Sequence, residues 1–279
     1  GSTLEEEKKI RFKLGNVGSH VEEILQKLLR MAVSDLSPVV RLCIVRGLDE
    51  RYDGYLSLLD LVAPLFLALE DEALAVRASA LQILGRVSRI NPAATLPRLR
   101  RVLIDLIVEL QCGGDDFRGG REMATRLIVI FLREEALQRL TRPLVSSIIA
   151  ALPLAGVAPR LATASLEALG ELAAVAHDDS IDPWLRERLI SHILENVQDQ
   201  NSSQKQRVSL WALGKIAYGT GYVVRPYLDY PQLLTQAADI LPTTKRASWD
   251  LRREVFRTFG ILGALDPDRF GSTRKGGGK

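Results

Sequence analysis

One phrase recurs along most of the chain: an aliphatic residue followed by glycine, or by a residue in its place, once in about 40 residues. Six copies are present, and they end at Asp49, Gly85, Val129, Gly170, Gly214 and Gly260. Successive copies are separated by 36, 44, 41, 44 and 46 residues. Repetition on this scale constrains the fold, because each repeat has only its neighbours against which to bury its apolar face.

Each period contains two stretches with the apolar spacing of a helix, a combination typical of HEAT-type α-solenoids. The sequence therefore predicts an all-α fold, a solenoid of about six HEAT-type helix pairs with a right-handed superhelical sense. Prolines follow several joints and suit helix starts, where the missing N–H is not needed. The predicted helices span residues 3–14, 21–33, 38–51, 56–69, 74–90, 94–111, 120–134, 140–152, 159–176, 183–198, 204–218, 230–241 and 249–264.

The composition agrees with a helical array, since 47% of the residues are hydrophobic and only 6% are aromatic. The repeats predict one solenoid at 20–270, preceded by a segment with a charged helix at 1–19. Residues 271–279 contain only small and basic residues, and we expect them to form a disordered tail. Gly1 and Ser2 resemble the remnant of a cleaved tag, so we expect the chain to be part of a longer protein.

The net charge of +3 comes from this tail, because Arg274, Lys275 and Lys279 have no acidic neighbour and residues 1–270 sum to zero. A nucleic-acid partner is not expected, because binding to phosphates requires a basic stripe. Nor is membrane insertion expected, since no apolar run reaches the roughly 18 residues of a transmembrane helix.

The two cysteines, Cys43 and Cys112, lie in different repeats and have no histidine cluster nearby. This arrangement argues against both a metal site and a disulfide, and it fits a reducing compartment. Neither a catalytic arrangement nor a cofactor site can be proposed from the sequence.

Three repeats place an aspartate six residues before an arginine. This spacing puts the carboxylate in a turn and the guanidinium one turn into the next helix, so each arginine can reach its own turn or that of a neighbouring repeat. We predict a structural ladder of stacked ion pairs, and the alternative is capping aspartates with exposed arginines. The pairs are Asp35 with Arg41, Asp71 with Arg77, and Asp115 with Arg121.

The glycines of the recurring phrase predict close packing between helices. Glycine costs about 1 kcal/mol relative to alanine inside a helix, so its repeated use at one phase indicates that a neighbour approaches there. A hinge role is the alternative. The positions concerned are Gly85, Gly170, Gly214 and Gly260.

Trp211 invites comparison with the armadillo importins, which grip peptides with a tryptophan and an asparagine one turn later. Here Lys215 stands in the place of that asparagine, and no other repeat has tryptophan at this phase. A single core or ridge tryptophan is therefore the favoured interpretation.

Several unusual strings, in the same order, resemble the helical-repeat region of the target-of-rapamycin (TOR) protein kinases. The resemblance extends over about residues 20–270. The strings are Val40-Arg41-Leu42-Cys43, Leu48-Asp49-Glu50-Arg51-Tyr52-Asp53, Gly85-Arg86, Asn91-Pro92-Ala93, Leu169-Gly170-Glu171-Leu172-Ala173, Gly219-Thr220-Gly221-Tyr222-Val223-Val224-Arg225-Pro226-Tyr227 and Leu262-Gly263-Ala264-Leu265-Asp266-Pro267.

The resemblance implies a non-catalytic scaffold segment of a nutrient-sensing serine/threonine kinase. Its expected partners are a raptor-type adaptor and a second TOR protomer, and its expected location is cytoplasmic, or peripheral at endomembranes through the parent complex. ATP and magnesium would belong to the parent's catalytic domain. An independent HEAT adaptor, of the importin or phosphatase-scaffold kind, is the alternative.

A partner surface is expected where aromatic and arginine anchors are densest. The other interpretation of these residues is that they fill the loop between the helices of the fifth pair. Self-association through exposed solenoid ends is also expected, because terminal repeats normally need capping. The anchors are Tyr222, Arg225, Tyr227 and Tyr230.

Overall fold

The computed structural model describes residues 18–112, 120–153, 157–175, 183–199, 201–220, 232–243 and 249–264. Regular structure in these ranges consists of α-helices and short 3-10 turns, without a strand. The all-α prediction is thereby confirmed. The chain divides into two compact units, unit 1 (residues 1–141) and unit 2 (residues 142–279).

Unit 1 is an array of helices in two layers. Its described helices are α1 (Gly18–Ser34), α2 (Pro38–Gly47), α3 (Asp53–Leu56), α4 (Leu59–Ala68), α5 (Leu74–Ile90), α6 (Pro92–Cys112), α7 (Gly120–Arg133) and α8 (Glu135–Thr141). Helices α2, α5 and α7 pack side by side in one layer, while α1, α4 and α6 form the other. In the first layer α5 thus contacts both α2 and α7, and it also packs against α4 and α6 of the other layer.

Unit 2 repeats this arrangement. Its described helices are α9 (Val145–Ala151), α10 (Pro159–Val175), α11 (Pro183–Gln198), α12 (Ser203–Thr220), α13 (Gln232–Thr243) and α14 (Trp249–Ala264). Helices α10, α12 and α14 pack in sequence as one layer, against α11 and α13. The strongest packing in this unit is therefore between equivalent helices of successive repeats.

Most predicted helices are confirmed to within about three residues at each end, and two regions differ. Residues 38–51 do not form one helix: α2 ends at Gly47, and the Asp49 carboxylate accepts the N–H of Arg51 to start a 3-10 turn. Residues 140–152 do not form one helix either. Helix α8 already begins at Glu135, and a 3-10 turn at Arg142–Leu144 separates it from α9. Pro143 lies in this turn and lacks the N–H that a continuous helix would use.

The flanking segments are not part of this description. The predicted helix at 3–14 and the predicted tail at 271–279 lie outside the described residues. The boundaries of the solenoid at 20–270 and its right-handed sense stay predictions.

Gly170 lies where two first-layer helices of unit 2 approach closely. A Cβ added there would lie 2.5 Å from Cζ3 of Trp211 and 3.1 Å from the backbone Cα of Ala212. Contacts this short do not occur in relaxed structures, so α10 and α12 pack at their observed separation because residue 170 has no side chain.

The other three glycines differ in how much space surrounds them. A Cβ at Gly214 would lie 3.2 Å from a terminal methyl of Ile261, and one at Gly85 would make ordinary contacts with Glu134 and Leu137. Gly260 contradicts the packing prediction: among the described residues, no atom lies within 4 Å of the added Cβ. The reason is that Gly260 lies on an exposed face of α14.

The comparison of Gly170 with Gly260 makes a stability prediction. Gly170→Ala should lower the free energy of unfolding by about 1–3 kcal/mol, because the methyl group overpacks the space that Trp211 fills. Gly260→Ala should raise it by up to about 1 kcal/mol, because alanine favours the helix and meets no obstacle. Urea unfolding followed by circular dichroism measures both, and equal effects at the two positions would contradict the packing explanation.

Candidate functional site

Arg41 joins two successive repeats of unit 1. Its Nε and Nη2 atoms donate to the two carboxylate oxygens of Asp71 at 2.7 and 2.9 Å, and its Nη1 atom donates to the backbone oxygen of Asp35. Arg41 is only 7% exposed. The side-chain pair thus forms between repeats, while the Asp35 to Arg41 spacing provides a side chain-to-backbone contact within one repeat.

Both aspartates also organise the turns in which they lie. The Asp35 carboxylate accepts the N–H of Ser37, and the Asp71 carboxylate accepts the N–H of Ala73, each at 2.8 Å. These bonds two residues ahead are the local turn that aspartate favours before a helix. Asp71 therefore stabilises its own turn and fixes the guanidinium of the previous repeat.

Arg77 differs from Arg41, although it lies at the equivalent position one repeat later. It contacts the sulfur of Met123, and its Nε atom is buried without a hydrogen-bond partner among the described residues. Desolvation lowers the pKa of Arg77, against the opposing charges of Glu109, Asp71 and Glu70. The sequence paired Arg77 with Asp71, but the Asp71 carboxylate accepts from Arg41 instead. Asp115 lies outside the described residues, so the Asp115 to Arg121 pair stays a prediction.

A second arginine tie was missed at the sequence level. Arg86, directly after Gly85, donates to both carboxylate oxygens of Asp53 at 3.0–3.2 Å and to the backbone oxygen of Leu48 at 2.9 Å. It thereby holds the break after α2 against α5. Both partners lie in strings that resemble TOR kinases, Leu48 to Asp53 and Gly85-Arg86. Because these strings are more than 30 residues apart, the sequence did not indicate that they contact each other.

The residues predicted as a partner surface, Tyr222, Arg225, Tyr227 and Tyr230, lie outside the described residues. Their proposed docking role therefore stays a prediction.

A groove lies between α12 and α14 in unit 2. It has a volume of ≈ 350 Å³ and is lined by Trp211, Gly214, Lys215, Tyr218, Glu254, Arg257 and Ile261. The Lys215 ammonium lies 5.5 Å from the centre of the Trp211 ring and 3.6 Å from Oε2 of the buried Glu171. Trp211 is thus a ridge tryptophan, partly buried against the core and partly open to the groove.

An apolar cavity of ≈ 340 Å³ lies in unit 1, between α1 and α2. Ile24 and Leu25 of α1 both line it; Leu25 is buried, whereas Ile24 is more than half exposed. Cys43 also lines it, and both cysteines of the chain are free and exposed. The described side chains include no group of three or more histidine, cysteine, aspartate or glutamate residues placed to hold a metal ion.

The fold resembles known helical-repeat structures. A designed armadillo repeat protein in complex with the peptide (KR)4 superposes with a TM-score of 0.53 over 85% of this chain and 99% of that chain, at 13% identity. An engineered protein superposes with a TM-score of 0.52 over 94% of this chain and 98% of that chain, at 14% identity. Identities this low support the repeat fold alone.

Sequence comparison decides the family. The chain is 38% identical over 258 residues to serine/threonine-protein kinase tor1 of Schizosaccharomyces pombe, which covers 91% of this chain and 11% of that protein. It is 37% identical over 256 residues to TOR of Arabidopsis thaliana and 33% identical over 250 residues to mTor of Drosophila melanogaster, each match covering 88% of this chain and 10% of that protein. The chain belongs to the TOR protein kinase family. It spans about a tenth of the length of these TOR relatives.

A family model described as the serine/threonine-protein kinase mTOR domain matches residues 223–277, a stretch that includes α13 and α14. The resemblance to TOR kinases inferred from the sequence strings is therefore confirmed, and the all-helical repeat fold locates the match in a helical part of these proteins. None of the described helices is both long and apolar enough to cross a bilayer.

The Arg41 to Asp71 pair predicts an acid-dependent loss of stability. Burial pushes the pKa of Asp71 up, but hydrogen bonds from Arg41 and from the N–H of Ala73 outweigh it and hold the pKa below its usual value of 3.8. Because the pKa is lower in the folded state, the stabilisation is present above about pH 4 and is lost as the pH falls through the folded-state value.

Asp71→Asn should therefore lower the thermal midpoint at pH 7 by several degrees and reduce the slope of stability against pH on the acid side. The matched control is Asp49→Asn, which removes a carboxylate that is 45% exposed and is paired with Arg51 two residues away rather than with another repeat. Calorimetry from pH 3 to pH 7 measures both variants. If the thermal midpoint changes equally little in both variants, the Arg41 to Asp71 pair does not stabilise the contact between repeats.

The buried Arg77 Nε atom, which has no hydrogen-bond partner among the described residues, leads to a second prediction. If Asp115 pairs with Arg77 as Asp71 pairs with Arg41, then Arg77→Met and Asp115→Ala should be coupled by about 1 kcal/mol or more in a double-mutant cycle of urea unfolding. If the changes in unfolding free energy caused by the two substitutions add within about 0.5 kcal/mol, Arg77 and Asp115 do not pair and the ladder lacks this ion pair.

Proposed function

We propose that this chain is a non-catalytic scaffold segment of a TOR-type kinase, which mediates protein interaction and complex assembly. The observation that carries the proposal is the match of about nine-tenths of the chain to TOR kinases, in a stretch whose described residues fold as stacked helices. A helical array presents long rows of side chains and many grooves, which suit the docking of other proteins. Phosphate transfer would belong to the catalytic domain of the parent kinase.

The proposed partners are a raptor-type adaptor and a second TOR protomer. The balanced charge of residues 1–270 favours proteins over nucleic acids as partners. The proposed location is cytoplasmic, with peripheral attachment to endomembranes through the parent complex. ATP and magnesium would be needed only by the catalytic domain.

The designed armadillo repeat protein with a similar fold binds a peptide, which illustrates how a helical array can accommodate an extended partner. The similarity is at the level of fold, so the proposal for this chain rests on its TOR membership and on its own surface.

Competition tests the scaffold role. Purified chain in excess should reduce the amount of raptor-type subunit or second protomer that co-purifies with a tagged full-length TOR kinase, because the isolated array occupies the same docking surfaces. The Gly170→Leu variant, in which the first layer of unit 2 cannot pack, is the control for folded structure. Unchanged co-purification of both partners would contradict the proposal.

A kinase assay tests the non-catalytic part. Purified chain with ATP, magnesium and a generic protein substrate should transfer no more phosphate than a reaction without the chain. Transfer that rises in proportion to the chain concentration would overturn this assignment.

A further inference from the structure

The groove between α12 and α14 lies where one position differs between successive repeats. Trp211 stands three residues before Gly214, and it fills the space over Gly170 of the previous helix. The equivalent residue three before Gly260 is Arg257, which is 56% exposed on its side chain and does not lie within 4 Å of a Cβ built on Gly214. Between α12 and α14 the position over Gly214 is taken by smaller groups, a methyl of Ile261 at 3.2 Å and the hydroxyl of Thr258 at 3.8 Å from the added Cβ, and the groove lies beside them.

The walls of this groove suit one large apolar side chain. Trp211 and Ile261 are partly buried and pack against the core of unit 2, so their remaining surface forms a firm apolar wall. Gly214 adds no side chain to the floor. Tyr218 stands at the mouth and is 78% exposed, which places an aromatic ring and a hydroxyl beside any chain that enters. Exposed aromatic residues around an apolar pocket are the usual anchors of protein interfaces.

The surroundings of the groove are basic. Helix α12 contains three basic residues and no acidic one, and α14 contains three basic and two acidic residues. Lys215 and Arg257 line the groove itself. Carboxylates of a partner would therefore find complementary charge there, and long-range attraction would favour their approach.

Glu171, which lies 3.6 Å from the Lys215 ammonium, offsets part of the positive charge around the groove. Glu254 is a second feature that would favour the opposite, basic partner. It lines the groove, and the residue is only 9% exposed. Burial raises the pKa of this carboxyl, and the charges of Arg257, Arg207 and Arg253 act against that rise. Its negative charge is therefore already opposed by three arginines, and a lysine or arginine from a partner would enter a region with excess positive charge.

We propose that this groove binds a short segment of a partner protein in which a large apolar side chain is flanked by acidic residues. The apolar side chain would lie between Trp211 and Ile261, beside Gly214. The flanking carboxylates would pair with Lys215 and Arg257 at the rim. The inference rests on the proposed scaffold function and adds the place and the chemistry of one docking event.

Fluorescence anisotropy with the purified chain tests the proposal. The probe is a short fluorescein-labelled peptide with one central phenylalanine flanked on both sides by glutamates. Two matched peptides carry lysines in place of the glutamates, or glycine in place of the phenylalanine. The first peptide should bind, more weakly as salt is raised, and each matched peptide should bind at least about tenfold more weakly, a difference of about 1.4 kcal/mol.

Variants locate the binding. The double variant Lys215→Gln with Arg257→Gln should weaken binding about tenfold or more, whereas Arg46→Gln with Arg100→Gln, which removes the same charge from exposed positions of unit 1, should leave it unchanged. Arg257→Trp should also abolish binding, because an indole at this groove-lining position would occupy the groove and remove one of its positive charges. Tyr218→Ala removes an exposed ring that the fold does not need. This variant should therefore fold, and it tests the groove even if the other variants do not fold.

No binding of the acidic peptide at millimolar concentration, preference for the lysine peptide, or equal binding by the Lys215 and Arg257 double variant would each overturn the inference. Failure here is distinct from failure of the scaffold function. A chain that still competes for a raptor-type subunit or a second protomer, but does not bind the acidic peptide, would dock its partners elsewhere.

Discussion

The close approach of first-layer helices in successive repeats is the constraint on which each unit depends. A helix in such an array cannot bury its apolar stripe alone, so the distance to the next equivalent helix decides whether a core exists. In unit 2 that distance is set at Gly170, where Trp211 occupies the space of the missing side chain. The pairing is reinforced one turn further along, where Lys215 lies over the Trp211 ring and near Glu171. Packing and charge therefore fix the same pair of helices.

Unit 1 fixes its repeats differently, with arginines that reach across the joints. Arg41 ties α2 to the turn before α5, and Arg86 ties α5 back to the break after α2. The two ties run in opposite directions between the same two repeats, so neither helix can slide along the other without breaking a bidentate pair. Buried pairs of this kind contribute more to a unique register than to net stability, because desolvation offsets much of their attraction.

What the sequence predicted well was local. Proline, glycine and aspartate act within a few residues, and they placed the bounds of helices such as Leu74–Ile90 and Trp249–Ala264 correctly. What it could not predict depends on contacts between distant residues. The pairing of Arg41 with Asp71 rather than Asp35 needs the stacking distance between repeats, and the break after Gly47 is held by Arg86, 38 residues beyond the carbonyl it bonds. Gly260 resembles Gly170 in sequence but not in environment, because no described helix packs on that face.

A repeat protein can therefore gain a binding site by changing one residue at a fixed phase. Tryptophan three residues before the glycine fills the space over Gly170 between α10 and α12, whereas the arginine at the same phase lines a groove between α12 and α14 and adds a positive charge to it. The backbone positions of the helices do not have to change, because the glycine still permits close approach in both intervals. Architecture and recognition are thus encoded at neighbouring positions of the same phrase: the glycine sets the spacing of the helices, and the residue one turn earlier decides whether the space beside it is core or surface.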